Sequence, residues 1–179
     1  MIALDHPGSC LTHRTYHLTC EDFGVLIDDH GAVCALCGIL GPDTDHGVLC
    51  IDHDGYTGPW AVRGLLCSPC NTRIDASGYR RTPEEDAYVA NPWYRRRFAA
   101  LGLSFMPEPE PEIGTIVAIR KQRVQYWRRS ETGWQRASGR SRICTWRELN
   151  RDYGPHCIDV ASDVMLSMRY GRLVVGRAS

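Results

Sequence analysis

Apolar residues spaced three and four positions apart predict a helix near the start of the chain, over residues 18–30. Phe23 and Ile27 lie on its apolar stripe. Thr19 has the side chain that an N-cap position favours, and Gly31 can end the helix because glycine readily adopts the left-handed conformation. The segment therefore has both its ends and its buried face marked in the sequence.

Two short apolar runs follow, at residues 47–52 and 60–66. The sequence Gly55-Tyr-Thr-Gly-Pro59 separates them, and its glycine and proline residues are typical of turns. The pattern predicts a β-hairpin over residues 47–66 with a rather long connecting loop. A helix should begin after it, at Ser68 or Asn71.

A further helical pattern covers residues 83–100, and we expect Asn91-Pro92 to divide it because the residue before proline avoids the helical conformation. The repeat Pro-Glu-Pro-Glu-Pro-Glu at 107–112 follows soon after. Alternating proline forbids a helix and favours an extended spacer. We therefore divide the chain into a domain at 1–106, a linker at 107–112 and a small domain at 113–179.

In the C-terminal part, residues 114–120, 123–129 and 133–137 alternate between apolar and polar, which predicts a small antiparallel sheet. A short helix is expected over 145–153 with Thr145 as its cap, and a returning strand over 157–160. Residues 164–175 fit a helix or a strand equally well. The fold class predicted is α+β, with a small, mainly β C-terminal domain.

Composition narrows the class of protein. The hydrophobic fraction is 43%, as in ordinary globular domains, and no apolar stretch approaches the roughly 18 residues of a membrane span. The first ten residues lack the pattern of a secretory signal, so a cytoplasmic protein is the expectation. There are nine cysteines. In a reducing compartment, clustered cysteines more often bind metal than form disulfides.

The net charge of zero conceals an uneven distribution along the chain. Residues 1–55 contain nine acidic residues and a single base, whereas residues 120–151 contain ten bases and two acidic residues. Arginine accounts for 20 of the 21 basic residues, and its planar guanidinium suits bidentate phosphate contacts. Codon bias in a GC-rich genome explains the arginine excess equally well, but it does not explain the segregation.

Four cysteines form the strongest local pattern, as Cys34-Ala-Leu-Cys37 and Cys67-Ser-Pro-Cys70. Two such C-x₂-C pairs match a structural zinc site, in which four thiolates complete the tetrahedron and leave no position for chemistry. The alternative is that these are core cysteines without a ligand. Zinc by itself does not indicate catalysis.

Between the two cysteine pairs lies Asp52-His53-Asp54, and Asn71 comes directly after the last cysteine. Asp52 and Asn71 offer oxygen ligands to a hard divalent cation, and His53 can take a proton from water. On a regular strand Asp52 and His53 would face opposite ways, so the chain must bend or twist between them. A lone histidine on a hairpin is more often a surface or core residue.

The whole arrangement, two C-x₂-C pairs around Asp-His-Asp with Arg-Gly-Leu-Leu before the second pair and Asn after it, resembles the recombination endonuclease VII family of His-Me finger (ββα-metal, HNH-like) nucleases. The resemblance covers residues 18–75. It implies a zinc-stapled ββα-metal domain with structural Zn²⁺ and with catalytic Mg²⁺ or Mn²⁺. It assigns zinc to Cys34, Cys37, Cys67 and Cys70, catalytic metal to Asp52 and Asn71, and the role of general base to His53.

One position departs from that family, which often has a second histidine where this chain has Gly55. We expect the change to alter rate or substrate positioning more than to abolish catalysis. Asp54 remains a candidate for an additional metal-binding or orienting carboxylate.

Arginines are the candidate DNA contacts. Arg63 can touch a phosphate or be an ordinary strand arginine, and the C-terminal arginines lie among tryptophans that form a small core or stack on bases. The full set of predicted DNA contacts is Arg63, Arg73, Arg120, Arg123, Arg128, Arg129 and Arg136.

The sequence thus predicts a metal-dependent DNA endonuclease acting on double-stranded or branched DNA, with a homodimer possible and no membrane. Three substrates compete: a Holliday-type junction, a specific site as in restriction or homing enzymes, and duplex DNA cut by a general nickase. The alternative from another class is a non-catalytic zinc module. It has no need of Asp52, His53 and Asn71 together.

Overall fold

The computed structural model describes residues 15–120, 124–138 and 141–161. Helices and two antiparallel sheets form a mixed α+β fold, as predicted. The first part has helix α1 (Cys20–His30), strands β1 (Cys50–His53) and β2 (Val62–Leu66), and helices α2 (Ser68–Ile74), α3 (Pro83–Ala90) and α4 (Trp93–Ala100). The second part has strands β3 (Ile116–Ile119), β4 (Gln125–Ser130) and β5 (Gly133–Arg136), helix α5 (Trp146–Tyr153) and strand β6 (Ile158–Val160).

Local capping explains where the first helix lies. Thr19 accepts a hydrogen bond from the backbone N–H of Asp22, whose carboxylate accepts from the Thr19 backbone in return. Such a capping box satisfies two helix-end donors that would otherwise lack partners. At the other end Gly31 adopts the left-handed conformation. The predicted helix and both of its ends are confirmed.

Strands β1 and β2 form the predicted hairpin, with Asp52 opposite Gly64. The register shifts between Asp52 and His53, so that His53 pairs with Val62. The extra residue of this bulge is Arg63 in β2, so the irregularity lies in the partner strand, opposite the position where the sequence predicted a bend or twist.

The hairpin separates two cores. Leu26, Val62, Leu65 and Trp93 belong to the core that α1 and α4 cover, and helix α4 packs against β2. Leu66 and Ile74 belong to the other core, which contains three of the four predicted zinc ligands. Each face of this two-stranded sheet is therefore covered, although a hairpin alone is marginally stable in water.

The helical stretch after α2 is broken where the sequence predicted. Helix α3 ends at Ala90 and α4 begins at Trp93, with Pro92 in extended conformation between them. A second capping box begins α3, because Thr82 and Glu85 exchange hydrogen bonds.

The C-terminal strands form a four-stranded sheet in the order β5-β4-β3-β6. Trp127 and Trp134 are buried with Leu149, as expected for a core of a small domain, while Trp146 packs partly buried against them. Helix α5 begins with the predicted cap at Thr145. Residues 164–175, for which helix and strand were both considered, lie outside the described residues. No helix among the described segments has the length and apolarity needed to cross a membrane.

The proline-rich segment has no regular secondary structure, but hydrogen bonds attach it to the C-terminal part of the chain. The indole N–H of Trp134 donates to Glu110 over 2.9 Å, and that of Trp146 donates to the Glu108 carbonyl over 2.8 Å. The segment is thus fastened along the second sheet. Trp60 of the first part also donates to the Asn150 carbonyl of α5 over 3.0 Å, which joins the two parts of the chain.

Candidate metal centre and active site

Two tight turns bring the four cysteines of the C-x₂-C pairs together. In the first turn, the backbone N–H of Cys34 donates to Ile39 and that of Gly38 donates back to Cys34. In the second, Cys67 is the N-cap of α2, and the N–H of Asn71 donates to its carbonyl. The N–H of Ala35 donates to the Leu65 carbonyl, which ties the first turn to β2.

The sulfur atoms fit the geometry of a structural zinc. The Sγ atoms of Cys34, Cys37, Cys67 and Cys70 all lie within 4.8 Å of one another, and those of Cys37 and Cys67 are 3.6 Å apart. A tetrahedron with zinc–sulfur bonds of about 2.3 Å requires sulfur–sulfur distances of about 3.8 Å. The four cysteines can therefore hold one metal ion, and their side chains suit zinc.

The electrostatics of the cluster favour a cation. Burial opposes ionisation of Cys34, but backbone N–H groups of Cys37, Cys67 and Leu36 lower its pKa to about 7. Burial and the neighbouring sulfurs raise the pKa of Cys70. Four adjacent thiolates repel one another, and a bound divalent cation removes that penalty.

Asp52 is buried in a network of hydrogen-bond donors. The Arg63 guanidinium donates from Nε to Oδ2 over 2.8 Å and from Nη2 to Oδ1 over 2.7 Å. The hydroxyl of Tyr88 on α3 donates to Oδ2 over 2.8 Å. Arg63 also contacts Asp75, so one arginine bridges two carboxylates. Its hydrogen bonds to Asp75, together with its positive charge, lower the pKa of that carboxyl group.

His30, at the end of α1, lies beside this network, because its ring and the Tyr88 hydroxyl both approach Gly64. Its buried Nε2 has no hydrogen-bond partner among the described residues. Burial and the charge of Arg96 lower its pKa. A Cβ atom on Gly64 would lie 2.8 Å from the His30 ring and 3.0 Å from the Tyr88 hydroxyl, so only glycine fits between the strand and these side chains.

His53 lies at the end of β1 and is partly exposed. The ring of Tyr16 meets it edge-on with the centroids 5.5 Å apart. Burial, Cys50 and Asp52 together raise the pKa of Tyr16, which places the phenol in the field of the same carboxylate. Asn71 lies on α2, the helix that packs against β1, and its side chain is partly exposed.

Asp54 has a different local role. Its carboxylate accepts hydrogen bonds from the backbone N–H groups of Tyr56 and Thr57 and, over 2.6 Å, from the Thr57 hydroxyl. Through these hydrogen bonds the Asp54 carboxylate stabilises the loop. At Gly55, where the related family often has a histidine, an added Cβ would meet no atom within 4 Å.

The predicted DNA-contacting arginines are in different environments. Arg63 is buried between carboxylates, Arg73 pairs with the buried Glu85, and Arg120 pairs with Asp159. Among the C-terminal strand arginines, Arg129 contacts Glu110, Arg136 lies over the Trp127 ring at 5.6 Å, and Arg128 is exposed without an ionic partner in the described ranges. Arg123 lies outside the described residues.

Sequence reasoning did not identify Tyr16, His30 or Tyr88 as parts of the site. Tyr88 lies 36 residues from Asp52 in a separate helix, and an isolated tyrosine carries no motif. The only available signal was Gly64 inside a strand pattern, since an interior glycine often marks a close approach.

In this fold a hairpin and a helix present polar residues beside a cluster of four cysteines that could bind a zinc ion. A family model described as recombination endonuclease VII matches residues 9–87. This match confirms the resemblance, and the segment that contains the hairpin, α2 and the four cysteines belongs to that family. Neither the curated proteins nor the solved structures contain a significant match to the chain.

Proposed function

We propose that the protein is a metal-dependent endonuclease that hydrolyses phosphodiester bonds of branched DNA. The family match supports a DNA endonuclease. The observation that carries the proposal is that the buried, fixed carboxylate of Asp52 is followed at the end of β1 by the partly exposed imidazole of His53, on a strand that contacts α2.

Asp52 and Asn71 would hold the catalytic cation. Oδ2 of Asp52 accepts two hydrogen bonds, whereas Oδ1 accepts one from the residues that the structure describes. A carboxylate has about four lone-pair positions, so one remains on Oδ1 for a metal ion. When bound, Mg²⁺ or Mn²⁺ would stabilise negative charge on the scissile phosphate and on the leaving oxygen.

The charges around this position balance one another. Asp52 and Asp75 contribute two negative charges, and Arg63 and Arg81 contribute two positive charges, so a cation would be attracted by the Asp52 carboxylate itself and not by an excess of negative charge. Because Arg63 keeps both carboxylates oriented, Asp52 needs no rearrangement to present Oδ1. His53 would take the proton from the attacking water, and Tyr16 would limit the directions in which the imidazole can turn.

For the organisation of the chain, we propose a nuclease domain at 1–106, a linker at 107–112 and a C-terminal domain at 113–179 that contacts DNA through Arg128 and Arg136. Both side chains are exposed on the second sheet. A branched substrate with two-fold symmetry requires two active sites, so the proposal includes a homodimer.

The test compares wild-type protein with His53→Ala on supercoiled plasmid and on a synthetic four-way junction, in Mg²⁺, in Mn²⁺ and in EDTA. We expect cleavage of the junction by wild-type protein, and none with His53→Ala or EDTA. His46→Ala is the matched control, because His46 is an exposed histidine seven residues away and should be dispensable. Zinc content and thermal unfolding of each variant establish that it is folded.

The other candidate functions give different results in the same experiment. Discrete plasmid fragments without junction preference indicate a sequence-specific enzyme of the restriction or homing type, and open circles indicate a nickase. DNA binding without cleavage in any divalent metal, by protein that contains one zinc ion per chain, contradicts the proposal and supports a non-catalytic zinc module.

A further inference from the structure

Tyr56 occupies the loop between β1 and β2, three residues after His53, and its side chain is 96% exposed. It is the most exposed large apolar side chain in the described ranges; Val48, at 63%, is typical of the others. Single exposed apolar residues are ordinary on protein surfaces, so exposure alone implies nothing. The construction of the loop around Tyr56 carries the argument.

Hydrogen bonds within the loop fix its backbone. The Asp54 carboxylate accepts the Tyr56 N–H over 2.9 Å and the Thr57 hydroxyl over 2.6 Å, and the Gly58 N–H donates to the Asp54 carbonyl over 2.9 Å. At the other end, Asp54 and Ala61 are joined by a backbone hydrogen bond of 3.0 Å. The backbone that carries Tyr56 is therefore fixed, although its side chain touches solvent.

The C-terminal part of the chain also contacts this loop and stabilises it. Trp60 is buried and donates from its indole to the Asn150 carbonyl of α5. Gly58 lies so close to the Arg151 carbonyl that any Cβ there would overlap it. Helix α5 therefore supports the loop at two successive backbone sites, and two separate parts of the chain hold the backbone that carries the exposed Tyr56 ring.

From these contacts we propose that Tyr56 is a stacking platform for an unpaired or unstacked base near the cleaved phosphate, which makes it a residue that selects branched over regular duplex DNA. The inference rests on the proposed nuclease function. Three residues span at most about 11 Å, so the ring lies within reach of nucleotides next to a phosphate at His53. In regular duplex both faces of each base are already stacked, and only a base at a branch or end exposes a face.

A braced loop makes such a contact effective. Tyrosine presents a large, amphipathic ring with two side-chain torsions, and a fixed backbone loses little entropy when a base stacks on it. Base stacking on an aromatic side chain corresponds to roughly 5- to 150-fold in affinity for one base.

The experiment measures binding of the full chain to a fluorescent four-way junction and to linear duplex of the same sequence, in Ca²⁺, by anisotropy. Tyr56→Ala should weaken junction binding by roughly 5- to 150-fold and change duplex binding less than twofold. Tyr56→Phe, which keeps the ring, should bind the junction as wild type does. Val48→Ala is the matched control for loss of an exposed apolar side chain.

A 2-aminopurine at the branch point gives a second readout, since stacking of Tyr56 on it should change its fluorescence with wild-type protein but not with Tyr56→Ala. Equal junction binding by wild type and Tyr56→Ala overturns the proposal, as does a Tyr56→Phe variant that behaves like Tyr56→Ala. If wild type still cuts the junction in that case, only the role of Tyr56 fails. If wild type neither binds nor cuts the junction, both proposals fail together.

Discussion

At the scale of single residues, the carboxylate of Asp52 is oriented by donors from two different elements, Arg63 on β2 and Tyr88 on α3. The ion pair is buried on both sides, with only 4% of either side chain exposed. Burying two charges is costly, so such a pair serves orientation better than stability. Arg63 donates to Oδ1, the proposed metal ligand atom of Asp52, which agrees with a role of the ion pair in orienting that carboxylate.

We predict that Tyr88→Phe lowers the free energy of unfolding by about 1.5–3 kcal/mol, because it removes a hydrogen bond to a buried charged group. It should also raise the Mn²⁺ concentration needed for half-maximal cleavage. Tyr79→Phe is a matched control, since the Tyr79 hydroxyl donates to the carboxylate of Glu85. That variant should lose stability but keep the wild-type Mn²⁺ dependence; equal Mn²⁺ dependence in both variants would contradict an orienting role for Tyr88.

Gly64→Ala tests the packing behind Asp52. The new methyl group would lie 2.8 Å from the His30 ring and 3.0 Å from the Tyr88 hydroxyl, so one of them must move. Overpacking of this kind costs about 1–3 kcal/mol, measurable by urea unfolding. Gly55→Ala, which meets no atom within 4 Å, should change stability by less than about 0.5 kcal/mol.

The sequence predicted local features around Asp52 better than the side chains that surround it. Strand alternation predicted a bend or twist between Asp52 and His53, and the structure has a bulge opposite that position, at Arg63 of β2. Arg63, in contrast, was predicted to touch phosphate, yet it is buried between Asp52 and Asp75. Alternation tells which face a strand residue is on, but not which distant helix covers that face.

At the scale of elements, caps and prolines made the helices predictable. Thr19, Thr82 and Thr145 each begin a helix with a capping box, and Pro92 separates α3 from α4. These signals are local, so they can be recognised without tertiary information. The proline-rich segment shows the opposite: its composition suggested a spacer, but contacts with Trp134 and Trp146 fasten it to the second sheet.

The two cysteine turns bring the segment after α1 next to the start of α2. Cys67→Ser should remove most of the bound zinc and lower the melting temperature, because four ligands are required for the tetrahedral site. Cys20→Ser, in the first turn of α1, should retain one zinc ion per chain. Atomic absorption and thermal unfolding measure both effects. Full zinc occupancy in the Cys67 variant would contradict the four-cysteine site.

At the scale of the whole molecule, ion pairs within the chain neutralise part of the arginine excess. Arg97 pairs with Asp22, Arg142 with Glu148 and Arg151 with Asp152. Counting arginines along the sequence therefore overestimates the positive surface that DNA can meet. Arg128 remains exposed without an ionic partner among the described residues, which is why it carries the proposal of a C-terminal contact.

The contact between the two parts of the chain contains a buried histidine. The His156 ring lies 4.3 Å from Phe98 and 5.7 Å from Trp60, between centroids, and its Nδ1 is without a partner among the described residues. Burial, reinforced by His17 and Arg120 and opposed by Asp22, lowers the pKa of His156 to about 4. The interface is therefore more stable with a neutral His156 imidazole than with a protonated one.

This interface should weaken in acid. A free histidine has a pKa of about 6.5, so between that pH and 4 the unfolded chain binds a proton that the folded chain does not. The free energy of unfolding should therefore fall as the pH falls through this window, by up to about 1.4 kcal/mol per pH unit from His156, with no contribution above it. His156→Phe keeps a ring against Phe98 and Trp60 and should flatten that slope, measured by urea unfolding at several pH values. His46→Phe, at an exposed histidine outside the interface, is the control.

Because α5 supports the loop of Tyr56, the preference of the wild-type protein for junction over duplex DNA should also decline over this pH range. The preference of His156→Phe should decline less. Identical pH profiles for the two proteins would show that the interface does not affect substrate selection.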